Sequence, residues 1–124
     1  HKSLTYKDSF FGNGMDYDRD YTAEYGSAPP YQSAESSAAL LVWKAAFERA
    51  NSFNTEKVRD ALAKTNMQTF YGNIKFSDAG MNTAKPMVLF QVRCDGDKCS
   101  NKVVAPTKWA SAKLVHPVPS WSKR

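Results

Sequence analysis

The clearest pattern in the chain lies between Ser33 and Ala50. Ala39, Val42, Trp43, Ala46, Phe47 and Ala50 fall at spacings of 3, 4, 7, 8 and 11, which is the apolar stripe of an amphipathic helix. Glu35, Lys44, Glu48 and Arg49 fall largely off that stripe. Upstream, Tyr17, Tyr21 and Tyr25 recur every fourth residue and predict one face of a short helix, stopped by Gly26 and Pro29-Pro30. Downstream, Asn51 to Asn54 break the long helix, and Asn54 or Thr55 caps the next one, with Glu56 in its first turn, where the helix dipole favours an acid. Val58, Ala61 and Leu62 give that helix its inward face, and Asn66 closes it.

Beyond Asn66 the period changes. Ile74 and Phe76 alternate with Asn73 and Lys75 as in a short strand, and Ser77-Asp78-Ala79-Gly80 is turn chemistry. Pro86 opens a second strand, Met87 to Arg93, and Lys102 to Ala105 form a third. Residues 1–14 read as irregular, and the tail after Pro106 as extended, with one short turn around Lys108 to Lys113. There is no internal repeat and no low-complexity tract.

Cys94 and Cys99 bracket an Asp-Gly turn signal between the second and third strands. A hairpin there brings the two Cα atoms within disulfide reach, which implies an oxidising compartment. Two free thiols and half of a metal site are the alternatives. The second is disfavoured because the only histidines, His1 and His116, lie far off in sequence.

Length and composition add limits. A chain of 124 residues suits one domain, and its longest apolar run, Ala38 to Trp43, is far short of a membrane span. No charged-then-apolar leader opens it, so the expectation is a cytoplasmic protein, a processed one, or a fragment. Residues 1–60 carry nine acids against seven Lys or Arg, whereas Ser100 onward has five basic residues and no acid. A basic tail and a tyrosine stripe suggest a small interaction domain for nucleic acid, although these lysines are set apart rather than clustered and the stripe equally suits packing with its hydroxyls left wet.

Candidate chemistry is sparse. Asp16-Tyr17-Asp18-Arg19-Asp20 resembles half a calcium loop, but Tyr21 stands where the turn needs Gly and Ser27 where a bidentate Glu belongs. His116 is the single interior base, in a Pro-rich tail without nearby carboxylates, so no catalytic residues and no enzyme activity are expected. No cofactor or metal is expected either. Tyr31, Gln32 and Glu35 are the candidate ligand-binding residues. They put an aromatic, an amide and a carboxylate at the start of the strongest helix, where free backbone N–H groups suit polar or anionic ligands. A capping arrangement around a buried tyrosine accounts for the same spacing.

The order of these segments carries a resemblance. Tyr25-Gly26, Pro30-Tyr31-Gln32-Ser33-Ala34, the alanine-rich helix, Glu56 to Leu62, Tyr71-Gly72-Asn73-Ile74-Lys75-Phe76 and Gly80 come first. Lys85-Pro86-Met87-Val88, Gln91-Val92 and Val103-Val104-Ala105-Pro106 follow. Together they resemble the C-terminal third of the substrate-binding proteins of ABC transporters, in the branched-chain amino acid or amide group of type I periplasmic-binding proteins.

The resemblance implies an α/β chain of about three helices, short strands and a disulfide-tied β-hairpin, forming the C-terminal fragment of a two-lobed fold. Residues 1–10 are then the remnant of an interlobe crossing, residues 11–85 complete the first lobe, and residues 86–124 are a hairpin and tail of the second. It also implies a bacterial periplasmic or extracytoplasmic location and a small solute (amino acid, amide or aromatic acid) held between the lobes. The implied partners are an ABC permease and either the missing N-terminal part of the protein or an intertwined homo-oligomer, with no nucleic acid.

Overall fold

The computed structural model describes residues 5–121, and the chain forms two units, residues 1–85 and 86–124. The first contains strands β1 (Lys7–Asp8) and β2 (Gly12–Asn13), helices α1 (Gly14–Tyr25), α2 (Tyr31–Ala50) and α3 (Thr55–Ala63), and strands β3 (Asn66–Thr69) and β4 (Gly72–Lys75). The second contains β5 (Leu89–Asp95), β6 (Lys98–Ala105) and a single 3-10 turn, Thr107–Trp109. All three strand pairs are two-stranded and antiparallel.

Helix α1 begins on a reciprocal cap. Asn13 Oδ1 accepts from the backbone N–H groups of Met15 and Asp16 at 2.8 and 3.1 Å, and Asp16 Oδ2 accepts from Asn13 N–H at 3.0 Å, satisfying donors that the first turn leaves free. Gly12 makes this possible. Its φ of +70° is left-handed, and a Cβ there would stand 2.5 Å from Asp16 Oδ2. Asp16 thereby puts a negative charge in the first turn of α1, where the helix dipole favours it.

Tyr17 is buried and stacks on Phe70, ring centroids 4.4 Å apart and 21° from parallel, while Phe11 meets both rings edge-on. Ala38 and Leu41 of α2 close this core. Two of the three stripe hydroxyls meet protein partners and are not left to water alone: Tyr17 OH lies 3.0 Å from Ser37 Oγ, and Ser33 Oγ donates to Tyr21 OH at 3.4 Å, while Tyr25 is exposed. A second core joins Ala46 of α2 to Val58 and Ala61 of α3, and Arg49 donates to the Ala61 carbonyl at 2.5 Å.

Four expectations need correction. The buried face of α2 is Ala38, Leu41, Val42 and Ala46, whereas Ala39 and Trp43 are exposed. The row that meets α1 is Ser33, Ser37 and Leu41, with Ala38 beside it in the same core. Helix α3 stops at Ala63, and Asn66 instead starts β3. There Met67 packs against the core and Thr69 is fully buried, an alternation too short to stand out. Lys7–Asp8 and Gly12–Asn13 form a small ladder where irregular chain was expected. Asp8 holds it: Oδ1 accepts from Phe10 and Phe11 N–H at 2.9 and 2.7 Å, and Oδ2 from Phe70 N–H at 2.6 Å. The tail's helical turn covers Thr107–Trp109 and not the whole span to Lys113.

In the second unit, β5 and β6 pair from Leu89–Ala105 to Asp95–Lys98, with a register shift at Leu89/Phe90. β5 lies two residues nearer the turn than the expected Met87 to Arg93, and β6 begins at Lys98 where the pattern places its start at Lys102. The Cys94–Cys99 disulfide forms across them, Cα atoms 4.0 Å apart. The tail crosses one face of the hairpin: Gln91 Nε2 donates to the Val115 carbonyl, Val115 N–H donates back to Gln91 Oε1, both at 3.1 Å, and Arg93 donates to the Lys113 carbonyl at 2.6 Å.

Candidate functional site

Helix α2 starts after Pro30, whose φ of −65° is ready-set for a helix entrance and which supplies no side-chain cap. Tyr31 is therefore the first helical residue, and it is 66 % exposed. The capping arrangement around a buried tyrosine is thus not what forms here. One turn on, Glu35 lies on the same side of the helix. Gln32 is exposed between them.

The β3–β4 turn supplies what α2 lacks. Thr69 Oγ1 accepts from Tyr71 N–H at 3.2 Å and donates to the Gly72 carbonyl at 2.9 Å, fixing the two-residue turn Phe70-Tyr71. Phe70 points into the core, and Tyr71 donates its hydroxyl to Glu35 Oε1 at 3.4 Å. Lys85 Nζ stands 2.9 Å above the centre of the Tyr71 ring. Its methylenes lie 3.5 Å from where a Gly72 Cβ would be, and Gly72 holds a φ of +142° that a side chain resists.

The charges in this cluster constrain one another. Burial pushes the Tyr71 phenol up, and the Glu35 carboxylate adds to that by its charge and its hydrogen bond. Burial pulls the Lys85 ammonium down, while Glu35 opposes it. The ring face beneath Lys85 also favours the charged form, so the ammonium is kept in a site where desolvation alone would weaken it. The arrangement presents one carboxylate, two phenols and one ammonium within a single patch.

The structure thus brings Tyr31 and Glu35 together with Tyr71 and Lys85, and leaves Gln32 beside them outside these contacts. Tyr71 and Lys85 were not candidates in the sequence. Each is a single residue in a turn or linker, and both reach Glu35 only through the folding of β3 and β4. A separate shallow groove of about 580 Å³ runs along Asp20, Tyr21, Glu24, Tyr25, Ser33 and Ser37, and contains none of the candidate residues. Among the described residues no group of three or more His, Cys, Asp or Glu side chains is placed to hold a metal, and no helix is long and apolar enough to cross a membrane.

A sequence profile described as periplasmic binding protein matches residues 6–98, three quarters of the chain. The chain belongs to the periplasmic binding protein family. The match groups it with the type I proteins of the branched-chain amino acid class, and the α/β build with its disulfide-tied hairpin agrees with that. It spans β1 to β5, so Tyr31, Gln32, Glu35, Tyr71 and Lys85 all lie inside the region that resembles other periplasmic binding proteins. It ends at the first residue of β6, leaving most of that strand and the tail outside. No solved structure matches the chain. Periplasmic binding proteins hold solutes and carry no chemistry of their own, which fits an extracytoplasmic protein with a small-molecule ligand.

Proposed function

We propose that this chain supplies one wall of the solute site in a two-lobed receptor of an ABC importer, and that the receptor hands its solute to a membrane permease. Residues 11–85 complete the first lobe, residues 86–124 belong to the second, and residues 1–10 are the end of a crossing between them. The observation that carries the reading is the Tyr71–Glu35 hydrogen bond beneath Lys85, at the start of α2 where Tyr31 is exposed, inside the region matched to the family. Gln32 extends the same wall. A carboxylate and an ammonium on one patch suit a solute that bears complementary polar ends beside an apolar or aromatic body: an amino acid, an amide or an aromatic acid.

A cleft needs both walls. The isolated chain is therefore expected to give no measurable heat with leucine, leucinamide or benzoate in calorimetry, whereas a longer natural protein containing it binds one of them. In that longer protein, Tyr31→Ala or Glu35→Gln weakens binding at least tenfold, as expected when a buried polar contact loses its partner. Tight uptake by the isolated chain, or Glu35→Gln without effect, would overturn the reading. The nucleic-acid alternative has lost its platform. Tyr17 is buried, Tyr21 is engaged by Ser33, and Tyr25 alone of the stripe is exposed.

A further inference from the structure

Lys85 sits where a bound cation would. A ring face with a carboxylate close by suits an ammonium, and the Tyr71 ring, with Glu35 at its hydroxyl, offers both. The chain fills that seat itself, because the Lys85 ammonium lies 2.9 Å above the ring centre. Its stem is seated too. The Cγ and Cδ methylenes lie 3.5 Å from where a Gly72 Cβ would stand, and Gly72 is buried. A tethered cation acts at a high effective concentration, so a free amine has to displace it to reach the ring.

The same ammonium is committed to a ring and to no acid. Arg19, Lys44 and Arg59 pair with carboxylates on their own helices, whereas Lys85 makes no ion pair among the described residues. Glu35 meets the Tyr71 hydroxyl rather than the ammonium. Burial pulls the ammonium down, and Glu35 restores only part of that. A carboxylate arriving at Lys85 gains charge-assisted hydrogen bonds, roughly twice as strong as those of a neutral amide. Tyr31, exposed one turn before Glu35, leaves its ring for the solute's apolar body.

We propose that Lys85 sets the specificity of the solute site: its ammonium occupies the cation seat on Tyr71 and takes the solute's carboxylate, so that acids are selected over amides and amines. This rests on the reading of Tyr31 and Glu35 as part of a solute wall. It narrows the solute from amino acids, amides and aromatic acids to the two classes that bear a carboxylate. An amino group on the solute gains nothing at the ring, because Lys85 is already there.

Two measurements test this. In proton NMR of the 124-residue chain, the ε-methylene protons of Lys85 should resonate upfield of the other lysines, shielded by the Tyr71 ring, and Tyr71→Leu should remove the shift. The same spectrum without that shift in the parent chain overturns the seat directly. The second measurement is calorimetry on a longer natural protein containing the chain, with leucine, leucinamide, isocaproate, benzoate, benzamide and isoamylamine as probes. Each acid that binds should do so about tenfold or more tightly than its amide, with isoamylamine rejected. Lys85→Met keeps the stem and removes the charge. It should weaken the acids about tenfold and leave the amides unchanged, while Lys85→Arg keeps the preference. Lys85→Ala, which empties the seat, should admit isoamylamine. An amide that binds as well as its acid, or Lys85→Met without effect on their ratio, overturns the proposal and leaves the wall standing. If no acid and no amide binds the longer protein, the wall itself fails and the proposal falls with it.

Discussion

The two units solve the same problem with different means. Nine of the ten buried apolar residues among those described lie in residues 1–85, and Val104 alone lies in residues 86–124. The first unit balances ten Lys or Arg with ten Asp or Glu, while the second carries seven against two. A two-stranded ladder with almost no core is marginal by itself. The second unit adds a covalent cross-link and a side-chain clasp on its tail, which substitute for burial. Side-chain packing holds the first unit together, and topology holds the second. Unbalanced charge is tolerable in the second because it has little packing for repulsion to disrupt.

The largest test of this contrast removes a ring from the packed unit. Phe70→Ala takes away the surface shared by Tyr17 and Phe11 and should cost about 3–5 kcal/mol. Hydrogen exchange should register the loss in α1, α2 and β3, with β5 and β6 unchanged. Faster exchange in both units would show that they share one stability and break the comparison.

A middle-sized effect is expected from replacing Cys94 and Cys99 together by Ala. A five-residue separation gives about 2 kcal/mol of lost cross-link stabilisation. The β5–β6 amides should lose protection while the α2 amides keep theirs. The comparison fails if the hairpin holds its protection without the bond.

The smallest effect is electrostatic. Asn13 N–H, with Arg19 assisting, holds the Asp16 carboxyl below its usual range in the folded chain. A lowered folded value means the contribution is present above the ordinary carboxylate range, near pH 4, and is lost as pH falls through the lower folded value. Protection at the start of α1 should therefore drop on acidification below about pH 4, and Asp16→Asn should flatten that drop. The β5–β6 amides serve as the reference. An equal acid response in β5 and β6 would blur the distinction.

Much of the fold was legible because helices announce themselves over many residues. Twenty residues of α2 leave a repeated signal, and Gly26 and Asn51 stop α1 and α2 where their left-handed backbones allow. What the pattern left ambiguous was rotation. Ala39, Trp43 and Phe47 repeat at the same interval as Ala38, Val42 and Ala46, and spacing alone cannot say which row has a neighbour. The short ladders were hidden for a different reason. β1 and β2 persist because Asp8 reaches Phe70, 62 residues away, and no local rule encodes such a partner.

The candidate site divides the same way. Tyr31, Gln32 and Glu35 could be picked out because a helix start is recognisable in sequence. Tyr71 and Lys85 enter only through contacts 36 and 14 residues apart along the chain, respectively to Glu35 and from Lys85 to Tyr71. The disulfide was legible because both cysteines and their turn lie within six residues.

Asp8 has a mechanical consequence. One of its carboxylate oxygens grips the segment arriving at α1, and the other grips the turn whose next residue is Tyr71. The chain's entrance and the ring beneath Lys85 are therefore rigidly geared. A pull on the incoming strand is delivered at the turn next to Tyr71 without passing through any helix, by Asp8 together with the Gln68 amide on the Lys7 carbonyl.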